Sequence, residues 1–477
     1  MDKTIVSDKY DAIIIGAGIG GLVCGCYLAN AGLRIMLLEQ HHKPGGYCSS
    51  FRRNGFIFDA AAHSLGSFRE GGHLHKIFKD LSIYDSVKVK RSDPSNMIFT
   101  PDHNISIWND INKTKKELSA LYPKEKNNID NFFDYILNIK GQDAIKVRNK
   151  TFLDVLEMFF TDKRLISILS IPLLGNGGLP ASKMHAFTGI SIYSEFILDG
   201  GYYIDEGMQK LPDALSKYIS GKKGTVLLSR SVERIICDKG SVQGVVLNNG
   251  DVMYSNVVIS ACDAHQVFTR LLDGYEVSHG LENKLIQMEP SLSAFILYIG
   301  LNDKLKGALH PGTNIWHLPH YNIEDIYESL SNDSFAEQKY FLYRISPDKN
   351  TIQLLVNTSY RNADYWNENK ERIQETLINH LENIIPDLRN HIKHVETATP
   401  ITLAKFTRNY RGSAFGWAHS VEQLFDVDFN IRSSIKGLYL TGHWTAKALG
   451  IPGVAYVGSA TAKLIMMKDN IMYKQTA

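Results

Sequence analysis

The stretch Asp11–Tyr47, DAIIIGAGIGGLVCGCYLANAGLRIMLLEQHHKPGGY, decides the fold. Ala12–Ile15 is a short apolar run that reads as a buried parallel strand, and it stops at Gly16-Ala17-Gly18-Ile19-Gly20-Gly21, a G-x-G-x-x-G turn. Leu22–Ala31 reads as a helix and Arg34–Leu38 as a second strand ending at Glu39. Gly16 allows the tight turn, Gly18 lets the backbone approach a pyrophosphate, and Gly21 lets the helix pack closely on the strand. The helix N-terminus offers free N–H groups and the positive end of its dipole to phosphates. Glu39, eighteen residues after Gly21, is spaced to accept hydrogen bonds from ribose hydroxyls. Glycine-rich turns also arise for packing alone, but strand, glycines, helix, strand and acid in register define a dinucleotide site.

The residues after Glu39 narrow the choice of dinucleotide. Gln40-His41-His42-Lys43-Pro44 leads into Gly45-Gly46-Tyr47, and NAD enzymes need no such second glycine pair. A GG pair directly after the ribose-binding acid resembles the flavoproteins in which it touches the FAD diphosphate. Within that group the sequence is most similar to the phytoene desaturase, carotenoid isomerase and retinol saturase relatives. Phe58-Asp59-Ala60-Ala61-Ala62-His63-Ser64-Leu65-Gly66 is especially similar to the retinol saturase pattern, including the position of its His.

Two later stretches carry the same resemblance. Gly200–Leu215 keeps Gly207-Met208-Gln209 but has Glu206 where a Gly is common, and by its residues alone it reads as a glycine turn entering an amphipathic helix. Near the end, Gly437–Trp444 reads as a strand running into Gly442, and Gly450-Ile451-Pro452-Gly453-Val454 opens a final helix from about Val454. A helix N-terminus there would stabilise negative charge on a reduced flavin ring. His443 stands where many flavoproteins have Asp or Glu on the ribityl chain; a ribityl contact and a catalytic role are both read for it. The resemblance implies cofactor contacts at Gly16, Gly18, Ile19, Gly20, Gly21, Glu39, Gln40, Gly45, Gly46, Tyr47, Val232, Ala261, Gly442, His443, Gly453 and Val454, with Val232 meeting the adenine through its backbone.

Length and composition agree. A chain of 477 residues suggests two or three units, and 44% hydrophobic with 21% charged residues describes an ordinary globular protein. A net charge of +2 gives no global pull towards nucleic acid. Cys24, Cys26, Cys48, Cys237 and Cys262 form no paired framework and no C-x-x-C, as expected of a reducing compartment. No signal-peptide pattern is read at the N-terminus and no run spans a bilayer, so a cytoplasmic location is expected, with contact at a membrane surface left open. Phe152–Leu174 is rich in large apolar residues and reads as a buried helix pair, with a membrane-facing mouth as the alternative.

The expected fold is α/β: a Rossmann-type FAD-binding domain built from residues 1–75, 222–290 and 400–477, and a substrate domain of mixed sheet and helices from 76–221 and 291–399. Thr225–Leu228, Val232–Cys237, Val242–Leu247 and Val252–Ser260 read together as the small sheet of such a domain. The resemblance implies an FAD-dependent enzyme that desaturates, isomerises or saturates a long apolar isoprenoid or polyene by hydride transfer at flavin N5. His63 is the first acid–base candidate, against a histidine hydrogen-bonded in the domain interface; Glu195, His185 and Lys447 come after it. Phe415, Trp417 and Trp444 are read as lining an apolar tunnel, or as loop packing. No zinc spacing, nucleophile elbow or Walker lysine is present. Two other classes stay open: an amine oxidase of the same overall fold, and a non-catalytic escort module for prenylated proteins. Oligomeric state and covalent attachment of the flavin are not legible.

Overall fold

The computed structural model describes residues 9–139, 145–272, 279–302, 305, 310–425, 430–445 and 449–468. The opening stretch folds as its spacing dictates. β1 (Ala12–Ile15) is fully apolar and buried, α1 (Ile19–Asn30) comes directly after the glycine turn, and β2 (Ile35–Leu38) pairs with β1 in parallel. β3 (Thr225–Leu227), β4 (Val258–Ser260) and β5 (Leu438–Leu440) complete a parallel sheet of order β5-β4-β1-β2-β3. Parallel strands buried on both faces need continuous apolar runs, and Ile13-Ile14-Ile15 and Ile35–Leu38 supply them. The strands read as one small sheet are therefore divided. Val232–Asp238, Ser241–Leu247 and Val252–Tyr254 form an antiparallel sheet, whereas Thr225–Leu227 and Val258–Ser260 join the parallel one. Propensity reports a strand; the partner is a tertiary matter.

The two ends of the chain meet at glycines. α2 (Gly450–Lys468) starts earlier than the expected Val454 and lies across α1. A Cβ on Gly20 would stand 2.8 Å from Gly442 Cα, and one on Gly458 would overlap Gly20 O. Close crossing by small residues brings the last strand and helix against the first glycine turn.

The second layer is a mixed sheet of seven strands in the order Ile392–Ala398, Ser293–Leu301, Thr351–Thr358, Phe341–Ile345, Asn314–His317, Asn96–Phe99 and Asn104–Ile107. One face of it packs on helices that include Phe152–Phe159, Lys163–Gly177 and Ala363–Glu382. The apolar stretch 152–174 is thus a buried helix pair: Ile168, Leu169, Ile171, Leu173 and Leu174 are all almost wholly inaccessible to solvent. Among the described residues no helix is long and apolar enough to cross a membrane. The five cysteines are free thiols.

Two expected boundaries move. Leu211, Leu215 and Ile219 of the helix Lys210–Ser220, together with Leu74, Ile77 and Phe78 of His73–Asp80, share a core with α1. Residues 76 to about 88 and 202–221 therefore pack with the nucleotide-type layer, not with the second sheet. An amphipathic helix announces a buried face but not what buries it.

Glu206 has φ +68 and forms an exposed ion pair with Lys210 at 2.7 Å. A left-handed backbone disfavours any residue with a Cβ, and an exposed ion pair returns little. Glu206→Gly is expected to raise the unfolding midpoint by about 1 °C, measured by thermal denaturation. A fall would show that the ion pair outweighs the backbone strain.

Candidate active site

One cavity runs between the parallel sheet and the seven-stranded sheet. At one end it is walled by Ile15, Gly16, Gly18, Ile19, Gly20, Glu39, Gln40, Val232 and Ala261. α1 begins there at Gly18 with no side chain capping it and no acid in its first turn. Its leading N–H groups are left for a ligand. A Cβ built on Gly18 meets nothing within 4 Å, so this glycine borders open space, and Gly16 makes the turn with φ +100. Gly21 does not line the cavity; a Cβ there would overlap Gly16 O, which is the packing role its spacing implied.

Glu39 closes this end. Its Oε2 accepts from Ala17 N and its Oε1 from His41 N, both at 2.8 Å, and burial raises its pKa against those bonds. Further hydrogen-bond donors would favour its ionised form. Arg230, Arg270 and Arg408 also line this end. They form a cationic rim that the sequence reading missed; the signal available was the Arg230-Ser231 pair directly before Val232.

Midway, Gly45, Gly46, Tyr47, Gly442, His443, Gly450, Ile451 and Val454 approach one another from opposite ends of the chain. The Tyr47 hydroxyl donates to Ser413 O at 2.8 Å, and its ring stacks on His443 with centroids 6.1 Å apart. His443 Nε2 is buried and has no partner among the described residues. Burial pushes the His443 imidazole down to about 4, so it is neutral at pH 7. A neutral ring with an unpartnered nitrogen, on a residue of the cavity lining, suits hydrogen bonding better than proton transfer near neutral pH. Gly453 lies just outside the lining, its N–H donating to Leu449 O within the first turn of α2.

The far end is apolar. Ala294, Ile296, Leu355, Leu403, Ala414 and Phe415 wall it, with Phe196 and the end of the helix Lys163–Gly177 alongside. His63 opens onto the cavity, its Nδ1 3.4 Å from Ala61 O. Burial, reinforced by the Arg344 cation, holds it down to about 4, so it too is neutral. Of the aromatic residues read as tunnel walls, Phe415 lines the cavity and the two tryptophans do not. Trp417 Nε1 donates to Trp444 O at 3.1 Å, and Trp444 Nε1 donates to Asn409 Oδ1 at 2.9 Å. Both rings are buried in the core behind the cavity, where Trp444 braces the lining residue Asn409. The loop-packing alternative holds for them, because indole N–H groups seek buried acceptors.

The other acid–base candidates are occupied elsewhere. Glu195 is held by Arg69 at 2.5 Å and by the Ser67 hydroxyl. His185 caps the helix Ala186–Ile192 by accepting from Phe187 N, and its Nε2 lies 2.6 Å from Arg148 O. Lys447 lies outside the described residues. Among the described residues no group of His, Cys, Asp and Glu could hold a metal ion.

Four histidines, His63, His265, His419 and His443, are each held down to about 4 by burial. Between that value and the ordinary 6.5 the unfolded chain binds protons that the folded chain does not, so stability falls as pH falls. Asp263, raised to about 6 by burial, works in the opposite sense over part of the window. Burial of Glu39 and Asp59 adds to that opposition. A net uptake of at least one proton on unfolding predicts a loss of about 1.4 kcal/mol or more per pH unit between pH 6.5 and 5. Urea unfolding of the cofactor-free protein measures it; stability that stays flat or rises over that interval would contradict these assignments.

Fold and cavity together define a two-layer nucleotide-binding enzyme architecture whose long cleft ends in an apolar chamber. The profile of the flavin containing amine oxidoreductase family matches residues 19–466, and the chain belongs to that family. The expected cofactor, FAD, and the expected class, a flavin oxidoreductase, stand with this membership. The chain is 23% identical to an all-trans-retinol 13,14-reductase of Danio rerio, over 98% of this chain and 87% of that protein. It is 24% identical to a chloroplastic prolycopene isomerase of an Oncidium hybrid cultivar, over 96% and 84%. It is also 24% identical to a 4,4'-diapophytoene desaturase of a Methylomonas species, over 98% and 97%. A solved oxidoreductase from Methanosarcina mazei shares the fold with a TM-score of 0.67 at 17% identity, covering 95% of this chain and 99% of that one.

Proposed function

We propose that this chain is an FAD-dependent oxidoreductase that alters the C–C double bonds of a long apolar isoprenoid or polyene. The observation that carries the reading is the continuity of the nucleotide cleft with a chamber walled by Ala294, Ile296, Leu355 and Leu403. In this reading Glu39 holds the adenosine ribose, and Gly18 with the α1 N-terminus and the arginine rim holds the diphosphate. Gly45-Gly46 and Val232 flank the nucleotide, while His443 and the start of α2 hold the flavin end. Bound FAD supplies two-electron exchange with a carbon centre. The chain's own residues orient the substrate: the sheet face presses the polyene towards the ring-binding wall and excludes water from it. His63, neutral and on that path, positions the substrate and does not act as a cationic acid.

The amine oxidase alternative is disfavoured by the charge of the chamber. Glu39 is the only carboxylate among the described lining residues, and it sits at the nucleotide end, already bound to Ala17 and His41. An ammonium substrate would enter an apolar chamber with no counter-charge. The escort reading has no use for the open space at Gly18 or the unpartnered His443. A polyene at the membrane surface would be drawn into the chamber from lipid, so peripheral membrane contact goes with this proposal. The test is to incubate the FAD-loaded protein with polyene-bearing liposomes and resolve the products by chromatography. Products changed in double-bond number or geometry are expected; unchanged polyene beside an oxidised amine would reverse the choice.

A further inference from the structure

We infer that Phe196 sets the register of a chain substrate against the flavin-end wall, and that Arg69 is the positioning residue that fixes the Phe196 ring. The inference rests on the polyene reading above and deepens it by naming what decides which double bond is altered. Phe196 lies on a π-helical turn, Tyr193–Ile197, that continues the helix Ala186–Ile192. Such turns are rare and recur at functional sites. Tyr193 and Ile197 are buried in one core with Phe295 and Leu297 of the seven-stranded sheet, whereas Phe196 is only partly buried and lines the cavity. Its ring reaches across to the other layer. A Cβ on Gly450, the first residue of α2, would stand 2.3 Å from Phe196 Cζ and 3.0 and 3.1 Å from its two Cε atoms. Gly450 is therefore a slot for this ring, and both residues line the cavity.

The turn is held from its other side by a clamp that accounts for Glu195. Arg69 grips that carboxylate with both ends of its guanidinium, Nη2 to Oε1 at 2.5 Å and Nη1 to Oε2 at 3.0 Å. Arg69 Nη1 also reaches Asp199 Oδ2 at 3.1 Å, and Arg69 N donates to the same oxygen at 2.9 Å. Ser67 N donates to Asp199 O at 3.0 Å, and the Ser67 hydroxyl donates to Glu195. Gly66 lets the two backbones close, since a Cβ there would overlap Glu195 O. The clamped carboxylates flank Phe196 in the chain. A bidentate, shared guanidinium fixes geometry in a way an isolated surface pair does not. With its backbone clamped and its ring slotted, Phe196 is a fixed obstacle where the two layers meet. A fixed obstacle decides how far a flexible chain advances, and small displacements of a reacting chain are costly.

The experiment uses the FAD-loaded protein and two acyclic conjugated polyenes, C30 and C40. Binding is read from the perturbation of the flavin spectrum, and the position of the altered double bond from mass spectrometry of the recovered polyene. The unaltered protein is expected to favour one position of the C30 probe at least about tenfold. In Phe196→Ala that preference should fall to about twofold, with FAD content unchanged. The affinity for C40 relative to C30 should rise at least about fourfold in the same variant, the worth of one more buried carbon, because the chain runs further past the slot. Arg69→Met leaves the ring but frees the turn, and should lower the positional preference at least about threefold. Arg69→Lys, which keeps the charge, should restore part of it. Arg372→Met is the control: it breaks an ion pair of the same length, to Glu337 at 2.5 Å, between residues that do not line the cavity, and should change neither readout. An unchanged affinity ratio or positional preference in Phe196→Ala would overturn the assignment, as would equal loosening in Arg372→Met. Loss of FAD from Phe196→Ala would overturn it by giving the ring to the cofactor. Several altered positions in the unaltered protein would overturn it while leaving the polyene reading standing. Binding of neither probe would overturn the polyene reading, and the assignment with it.

Discussion

Replacing Gly18 by leucine is expected to give a folded protein that no longer retains FAD. Gly18 has φ −66 and ψ 167, a conformation open to any residue, and a Cβ there meets no atom within 4 Å. The new side chain therefore costs the fold little and fills only the space before the uncapped start of α1. Urea unfolding of the cofactor-free variant should match that of the unaltered protein within about 0.5 kcal/mol. FAD affinity should fall at least about a hundredfold, or about 2.7 kcal/mol. The neighbouring glycines behave differently. A Cβ on Gly20 approaches Gly442 Cα at 2.8 Å and Gly442 N at 3.0 Å, both backbone, and one on Gly21 overlaps Gly16 O. Gly20→Ala and Gly21→Ala should each destabilise the fold itself by about 1–3 kcal/mol. FAD retention in Gly18→Leu would mean that the diphosphate does not pass this turn.

The second large effect is expected at the other end of the cavity. Leu355 points into the chamber and is only partly buried, so Leu355→Trp adds volume where the substrate would lie. FAD content should be unchanged, and polyene turnover should fall about a hundredfold, close to 2.7 kcal/mol in the barrier. The preceding residue on the strand is the control. Leu354 faces the helices and is fully buried, so Leu354→Trp should cost about 1–3 kcal/mol of stability by overpacking. Turnover measured per FAD-loaded molecule separates the two. Full activity in Leu355→Trp would remove the sheet face from the substrate's path.

These contrasts show which parts of the site could be read from sequence. The glycine turn, Glu39 and Gly442 were legible because their chemistry depends on local spacing: a turn, a helix start and the end of a strand each carry their own residues. Glu206 was legible as a departure from the resembled pattern, and its backbone is left-handed, a conformation that favours Gly. The cationic rim of Arg230, Arg270 and Arg408 was not, because those residues meet only after the chain has folded. Alternation along Thr351–Thr358 separates Leu355 and Asn357 from Leu354 and Val356, but nothing local says which side faces a cavity. Trp417 and Trp444 went the other way, since aromatic residues beside glycines look alike whether they line a tunnel or brace a loop. The helix Lys210–Ser220 packs in one core with α1, which its amphipathic pattern alone does not announce.

The decisive measurement mixes the FAD-loaded protein with polyene in the absence of oxygen and tracks the visible flavin band. Parallel mixing starts from oxidised and from chemically reduced protein, and the polyene is recovered and its double bonds counted. A polyene-altering flavoenzyme gives either a flavin redox change matched by an opposite change in the polyene, or isomerised polyene formed only with the reduced protein. A flavin that bleaches with simple amines while the polyene is recovered unchanged from both starting states would contradict that function.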